Sequence, residues 1–248
     1  CSLQRRHQKV WEEAPSPALN DEERAEIGEI VANAMRKMKY RGAGTVEFLY
    51  EDGGFYFIEM NTRLQVEHPV TEYVTGLDLV ELQIRIAAGE VLPYAQKDIT
   101  ARGHAIEARL TAEKPAQDFL PDTGKVHLIH WPSDIRVDTG IEAGSEISQY
   151  YDSMVAKLIA YGSDREEACD RLLAALDNTA VMGVDTNSAF LRDCVAAPAF
   201  RDGRATTSFL AETFPDGWQP AGGEDAIMAM RAAALFQALA EADQPFRG

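Results

Sequence analysis

The strongest constraint on the fold is a pair of alternating stretches joined by a turn. Residues 45–50 (TVEFLY) and 55–61 (FYFIEMN) are rich in aromatic and β-branched side chains, and they flank Asp52-Gly53-Gly54. This pattern predicts a β-hairpin. With a three-residue loop, residue 51 pairs with residue 55, and Glu47 lies directly opposite Glu59. A slip of one residue would mix polar and apolar side chains on both faces, so the alternation selects this register.

This register gives the hairpin two different faces. The apolar face, which we expect to pack on a core, carries Val46, Phe48, Tyr56, Ile58 and Met60, and the polar face carries Thr45, Glu47, Glu59 and Asn61. Directly opposed residues have Cβ atoms about 5 Å apart, so two carboxylates there repel each other. A divalent cation would remove that repulsion, and two carboxylates with the Asn61 carbonyl are oxygen donors of the kind Mg²⁺ prefers. The alternative is a pair of solvated surface glutamates.

The remaining patterns predict an α+β protein. Asn20 and the acidic residues after it are typical of a helix start, and apolar residues recur at helical spacing up to residue 39. The predicted helices are 21–39, 69–75, 78–88, 164–178, 187–196 and 206–213, and the predicted strands are 103–112, 124–130, 134–139 and 154–161, with short strands in 1–14. In the strand near residue 107, Glu107 and Arg109 point away from the face that carries Ile106 and Ala108.

Composition excludes several classes of function. The 248 residues include 40 acidic and 24 basic side chains, a formal net charge of −16, which argues against nucleic acid or an anionic membrane as a partner. No stretch is long and apolar enough to predict a membrane span. The three cysteines have no CxxC spacing, which favours reduced thiols and a cytoplasmic location.

Five stretches resemble the biotin carboxylases, the ATP-grasp subunits or domains of biotin-dependent carboxylases. The stretches are CSLQRRHQK (1–9), RGAGT (41–45), EMNTRLQVEHPVTE (59–72), GHAIEAR (103–109) and YYDSM (150–154). The resemblance covers about residues 1–215. An E-x-N-x-R pattern alone would indicate only ATP-grasp enzymes in general, whereas the continuation QVEHP is far more specific.

The resemblance implies a role for each matching residue. It assigns Mg²⁺ or Mn²⁺ binding to Glu47, Glu59 and Asn61, and nucleotide contacts to Gln4, His7, Glu47 and Glu59. It assigns bicarbonate binding to Lys9, Arg63, Gln65 and the Val66 backbone, and the catalytic roles to Glu67, Arg63 and Arg109, with Glu67 as general base and Arg109 stabilising the biotin enolate. For Arg109 the alternative is a structural arginine paired, for example, with Glu107; for Lys9 and Arg63 it is surface solvation.

The implied reaction is the ATP- and bicarbonate-dependent carboxylation of biotin on a carrier domain. ATP, Mg²⁺ or Mn²⁺, bicarbonate and biotin would be its cofactors and substrates. The implied partners are a biotin carboxyl carrier domain, a carboxyltransferase subunit and a second copy in a homodimer or larger oligomer. The whole enzyme resembles α-subunits of propionyl-, methylcrotonyl- or geranyl-CoA carboxylases, or acetyl-CoA carboxylase, which act in fatty acid or branched-chain metabolism.

The expected organisation is the C-terminal part of such an enzyme. We expect residues 1–100 to form the second half of an ATP-grasp domain and 101–216 the biotin carboxylase C-terminal domain, with mixed or antiparallel sheet and helices. We expect 217–248 to form a linker and a helix that begins a further domain. The chain opens at Cys1 without an initiator Met, and we expect these 248 residues alone to be inactive. Two other functions remain open: another ATP-grasp ligase resembling carbamoyl phosphate synthetase, and a non-catalytic assembly fragment.

Overall fold

The computed structural model describes residues 1–6 and 8–221, and these residues form an α+β fold built on antiparallel sheet. The strands are β1 (Ser2–Arg5), β2 (Gln8–Ala14), β3 (Thr45–Glu51), β4 (Gly54–Asn61), β5 (His104–Thr111), β6 (Glu113–Lys114), β7 (Leu120–Pro121), β8 (Gly124–Lys125), β9 (Leu128–His130), β10 (Arg136–Thr139), β11 (Glu146–Ile147), β12 (Met154–Gly162) and β13 (Ala180–Met182). The helices are α1 (Asp21–Met38), α2 (His68–Thr75), α3 (Leu79–Ala87), α4 (Arg165–Asp177), α5 (Ser188–Ala196), α6 (Pro198–Arg201) and α7 (Phe209–Thr213), with 3-10 turns at Gln96–Asp98 and Pro115–Gln117.

A five-stranded antiparallel sheet holds the centre of the fold. Its strand order is β1-β2-β5-β12-β10, so strands far apart in sequence lie side by side. One face of β5 carries Ile106, Ala108 and Leu110, which are completely buried against α4 and α5. The other face carries Glu107 and Arg109, so the predicted alternation of this strand is confirmed.

Several helices begin and end at the residues that the sequence predicts, and capping hydrogen bonds explain one of these ends. Asn20 accepts a hydrogen bond from the Glu23 backbone amide while the Glu23 side chain accepts one from the Asn20 amide. This reciprocal cap satisfies two amides that the first turn of a helix leaves free. The predicted helices at 69–75 and 78–88 correspond to α2 and α3, each within one residue at either end. Within the described residues no helix combines the length and apolar character that crossing a membrane requires.

The hairpin of β3 and β4 confirms the predicted register at one end and contradicts it at the other. Glu47 pairs with Glu59 and Thr45 with Asn61, as predicted, but the register shifts between Glu47 and Phe48. Ile58 is the extra residue of this β-bulge. The turn contains two residues rather than three, because Asp52 and Gly53 both have positive φ (48° and 80°), as tight hairpin turns require.

The bulge changes the apolar face of the hairpin. Phe48 pairs with Phe57 and not with Ile58, and its ring centroid lies 6.1 Å from those of Phe55 and Phe57. The predicted membership of Tyr56 and Ile58 in that face is therefore wrong. The expectation that this face packs on a core is also not met within the described residues, since Phe57 is 64% exposed.

Two sequence expectations fall at the carboxyl end. Of the residues expected to form a linker, 217–221 are described and have little regular structure, and Trp218 is buried with its indole N–H donating to Asp193 at 2.8 Å. The helix expected within 224–242 lies outside the described residues.

Candidate active site

The predicted site residues come together where the hairpin and the turn before α2 meet the central sheet. β2 supplies Lys9, the hairpin supplies Glu47, Glu59 and Asn61, and β5 supplies Arg109. The turn 62–67 supplies Arg63, Gln65, Val66 and Glu67. Three separate stretches of the sequence, β2, residues 45–67 and β5, therefore converge on one polar cluster.

Lys9 lies between two carboxylates. Its Nζ donates to Glu47 Oε1 and to Glu67 Oε1, both at 2.6 Å. The three side chains are only 16–19% exposed. Burial on its own would lower the pKa of Lys9, but the hydrogen bonds that it donates to Glu47 and Glu67 outweigh burial and raise that pKa. Lys9 is therefore a fixed cation, which excludes the alternative of a solvated surface lysine.

Glu47 is the most heavily bonded carboxylate of the cluster. Besides Lys9, its Oε1 accepts from Gln65 Nε2 at 2.6 Å and from Asn61 Nδ2 at 2.9 Å. Burial opposes its charge, but the hydrogen bonds from Lys9 and Gln65 outweigh burial and hold the pKa of Glu47 below its usual range. Glu47 is therefore an anion in the folded protein.

The predicted metal ligands form a compact set of oxygen donors. Asn61 Nδ2 donates to Glu47 and, at 3.1 Å, to Glu59 Oε1, so the amide spans the opposed pair. Asn61 Oδ1 accepts from Arg63 at 3.3 Å. The described residues contain no cluster of three or more His, Cys, Asp or Glu side chains suited to a metal. Two carboxylates and one amide nevertheless fit a hard cation that also takes phosphate oxygens, provided that the amide turns its oxygen toward the carboxylates.

Arg109 joins the sheet to the turn. Its guanidinium donates to Glu12 Oε1 through Nε at 2.8 Å and to Glu67 Oε2 through NH2 at 2.9 Å. Burial raises the pKa of Glu12 to about 7, although Arg109 opposes that shift. The alternative pairing of Arg109 with Glu107 is wrong: within the described residues neither carboxylate oxygen of Glu107 has a hydrogen-bond partner. The ion pairs instead hold Arg109 beside Glu67.

The other predicted residues lie around this centre. Arg63 is exposed, and its NH1 donates to the Leu64 carbonyl at 3.2 Å. Gln65 is 7% exposed, and its Oε1 is buried without a partner among the described residues. Gln4 is exposed on β1 and pairs in register with Lys9. His7 lies outside the described residues.

Sequence reasoning missed two residues that contact this cluster, Glu12 and Lys157. Glu12 pairs with Arg109, and Lys157 donates to the Val66 carbonyl at 2.9 Å while pairing with Asp138 at 3.2 Å. Glu12 and Lys157 are at most 9% exposed. A charged residue inside an otherwise apolar predicted strand, as Lys157 is within MVAKLIAYG, was the available signal.

Comparisons with known proteins identify relatives of both halves of the chain. Residues 1–95 match the family described as carbamoyl-phosphate synthase L chain, ATP binding domain, and residues 107–212 match the biotin carboxylase C-terminal domain. A biotin carboxylase of Allochromatium vinosum is 53% identical over 212 residues, which cover 85% of this chain and 47% of that protein. The human mitochondrial propionyl-CoA carboxylase alpha chain is 51% identical over 225 residues, covering 88% and 31%.

A solved structure has the same fold. The biotin carboxylase domain of a thermophilic 2-oxoglutarate carboxylase, bound to bicarbonate, superposes with a TM-score of 0.84 and 46% identity, covering 87% of this chain and 49% of that one. A related dimer of the Hydrogenobacter thermophilus enzyme is described in complex with MgADP, ADP and bicarbonate. The chain thus spans about half the length of that solved domain.

Proposed function

We propose, from the premise that this chain belongs to the biotin carboxylase family, that it supplies the bicarbonate site of an ATP-dependent enzyme that carboxylates biotin. The observation that carries the proposal is the position of Glu67. Its two carboxylate oxygens are held separately, Oε1 by Lys9 at 2.6 Å and Oε2 by Arg109 at 2.9 Å. A base flanked by two cations suits a substrate that is an anion and must lose a proton.

The first chemical step activates bicarbonate. Lys9, Arg63, Gln65 and the Val66 backbone would hold the anion, since a planar guanidinium and an ammonium both complement a carboxylate-like group. Glu67 would take the bicarbonate proton. The freed oxygen pair then bonds to the γ-phosphorus of ATP, the bond to the β,γ-bridging oxygen breaks, and ADP leaves with its electron pair. The products of this step are carboxyphosphate and ADP.

The second step carboxylates biotin. Carboxyphosphate breaks into CO₂ and phosphate, and the phosphate takes the proton from biotin N1. The ureido oxygen then carries negative charge, which a fixed guanidinium stabilises. Arg109 is held at both ends by Glu12 and Glu67 and is 17% exposed, so it could meet such an oxygen without reorganising. N1 then bonds to CO₂ to give carboxybiotin.

A divalent cation would act on the nucleotide side of the site. Glu47, Glu59 and Asn61 would hold Mg²⁺ or Mn²⁺, whose charge lowers the repulsion between bicarbonate and the phosphates. Gln4 and His7 would contact the nucleotide. In this arrangement Lys9 bridges the two halves of the chemistry, because it touches both Glu47 and Glu67.

The domain division, the partners and the location are part of the same proposal. Residues 1–100 would complete an ATP-grasp domain, 101–216 would form the biotin carboxylase C-terminal domain, and 217–248 would lead to a further domain. A biotin carrier domain, a carboxyltransferase subunit and a second copy would be its partners within an acyl-CoA carboxylase. The three cysteines are free thiols, which supports a cytoplasmic location.

One observation favours a second candidate function, that of a carbamoyl phosphate synthetase-like ligase. The family that matches residues 1–95 is named for carbamoyl-phosphate synthase. The match at 107–212 is to the biotin carboxylase C-terminal domain, and this supports the first reading over the second. The cluster also argues against a non-catalytic assembly fragment, because its carboxylates and cations come from both matched regions.

The test uses the full-length protein that carries this sequence. Phosphate release from ATP should require bicarbonate and rise when free biotin is added, with carboxybiotin as the product. Phosphate release that depends on ammonia and not on biotin would favour the carbamoyl phosphate reading. A full-length protein that binds no nucleotide would favour the non-catalytic one.

A further inference from the structure

Lys157 and Arg109 bind adjacent residues of the same turn. They are paired directly across β12 and β5, so their side chains leave the sheet side by side on the same face. Arg109 binds the Glu67 carboxylate at 2.9 Å, and Lys157 Nζ donates to the Val66 backbone carbonyl at 2.9 Å. The two cations therefore fix consecutive residues, one through its side chain and the other through its main chain.

The Lys157 contact restricts the backbone at the proposed base. A peptide unit is planar, so a fixed Val66 carbonyl also fixes the direction of the Glu67 N–H. The preceding carbonyl, that of Gln65, is held as well: it accepts from the His68 amide at 3.3 Å and contacts His68 Nδ1 at 2.8 Å. The Val66 carbonyl is thus bonded to the sheet and the Gln65 carbonyl to α2. These bonds fix the backbone conformation of the turn before any ligand binds.

The charge of Lys157 is balanced by a bonded anion. Two cations directly opposed in a sheet repel each other, and Lys157 is 9% exposed. Asp138 lies on the next strand, in register with Lys157, with its Oδ2 3.2 Å from Nζ. Burial alone would raise the pKa of Asp138, but the hydrogen bonds from Arg136 and Lys157 outweigh it and lower that pKa.

The same network reaches the helix that follows the turn. Arg136 donates to both oxygens of Asp138, at 2.8 and 3.0 Å, and to Glu72 of α2 at 2.7 Å. Strand β12 therefore holds the turn through Lys157, and strand β10 holds helix α2 through Arg136. A hydrophobic residue at position 157 could fill the same volume, but it could not donate to the Val66 carbonyl.

We propose that Lys157 is a positioning residue that sets the affinity of the 65–67 turn for bicarbonate by fixing the Val66–Glu67 peptide. The proposal rests on the proposed function, which places bicarbonate at this turn. Lys157 acts through the backbone of the turn and does not itself touch the anion. Its loss should therefore weaken bicarbonate binding and leave nucleotide binding intact.

The decisive variant is Lys157→Met in the full-length protein, because it keeps the length and packing of the side chain and removes the donor. We expect the KM for bicarbonate to rise about tenfold or more, as for the loss of one hydrogen bond from a charged group, while the KM for ATP stays within about twofold. Lys157→Arg should restore part of the bicarbonate affinity. Lys125→Met is the matched control, since Lys125 is an exposed strand residue of β8.

A second measurement keeps the proposal testable whatever the activity. Amide hydrogen exchange at His68, whose N–H donates to the Gln65 carbonyl at 3.3 Å, should be faster in Lys157→Met than in the unchanged protein and the Lys125 control. If Lys157→Met does not fold, Asp138→Asn replaces it and should raise the same KM by a smaller factor. An unchanged bicarbonate KM in a bicarbonate-dependent enzyme would overturn the positioning role. If the unchanged protein shows no bicarbonate dependence, the proposed function fails, and the exchange rate still decides whether Lys157 orders the turn.

Discussion

Glu12 and Glu107 lie directly opposite each other on β2 and β5, and they are 2% and 0% exposed. Glu12 shares Arg109 with Glu67, whereas Glu107 has no hydrogen-bond partner among the described residues. Burial, together with the neighbouring Glu12, raises the pKa of Glu107 to about 9. Of this buried pair, Glu107 is therefore the carboxyl that keeps its proton at neutral pH.

This pair predicts a stability that falls as the pH rises. Unfolded glutamate loses its proton near pH 4.5, whereas folded Glu107 keeps it until about pH 9. Between these values the folded state binds more protons, so the free energy of unfolding decreases with increasing pH. In Glu107→Gln this contribution is gone. The difference in Tm, variant minus unchanged protein, should become steadily more positive from pH 5 to pH 9.

Glu26→Gln is the control for that measurement, because Glu26 is exposed on α1. Its Tm difference should stay flat over the same range. Parallel curves for Glu107→Gln and the unchanged protein would show that Glu107 is ionised inside the fold.

The opposed glutamates of the hairpin predict a metal-dependent defect. In the full-length protein, Glu59→Gln should lower kcat about tenfold or more and raise the Mg²⁺ concentration needed for half activity, because it removes one anionic ligand. Glu59 is exposed, so the fold should be unaffected. Glu51→Gln, at the other end of the same hairpin, is the control. A kcat within about twofold of the unchanged enzyme would show that Glu59 is a solvated surface residue and not a metal ligand.

Substitutions of Glu67 and Arg109 should impair different steps of the reaction. Glu67→Gln should lower bicarbonate-dependent phosphate release and carboxybiotin formation together, by about 10²–10⁴-fold, the usual contribution of a general base. Arg109→Ala should lower carboxybiotin formation more than phosphate release, by about 10²–10³-fold in the step it serves. ATP use then becomes uncoupled from product.

Both rates should be measured on the same samples of each variant. Arg85→Ala is a suitable control, since Arg85 forms an exposed ion pair with Glu81 on α3. Equal losses of both rates in both variants would remove the separation of roles. Unchanged rates in Arg109→Ala would make Arg109 a structural residue.

Gly183 predicts a defect of folding alone. Its φ is +109°, and an added Cβ would clash with the Lys125 carbonyl oxygen of β8, just beyond the end of β13. Gly217 also has positive φ, +82°, but nothing lies within 4 Å of its Cβ position. Gly217→Ala should therefore cost only the backbone strain of about 1–2 kcal/mol. Gly183→Ala should cost clearly more in urea unfolding, and equal costs would show that the chain moves aside freely.

The sequence was sufficient to predict the contacts that depend on alternation. The opposition of Glu47 and Glu59, and the orientation of Arg109 away from Ile106, follow from the two-residue period of a strand. The predicted loop length was wrong because a two-residue turn with a bulge and a three-residue turn without one leave the same polar face. The two alternatives differ in the pairing beyond Glu47, where Phe48 lies opposite Phe57, and in the positive φ at Asp52 and Gly53.

The contacts that the sequence did not predict join distant positions. Lys157 and Val66 are 91 residues apart, and Arg109 and Glu12 are 97 apart. They meet because β2 and β12 both flank β5, an order that skips many intervening elements. Periodicity indicates which side of a strand a residue occupies, but it does not indicate which strand lies beside it.

The bulge at Ile58 separates the two ends of the hairpin. Because of this extra residue, the pairing between Glu47 and the turn is shifted by one residue on β4 relative to the pairing of Glu47 with Glu59. A residue inserted or deleted at the tip can be compensated by gain or loss of the bulge, without moving Glu59 from its place opposite Glu47. The length of the tip is thus independent of the opposition of Glu47 and Glu59 at the base of the hairpin.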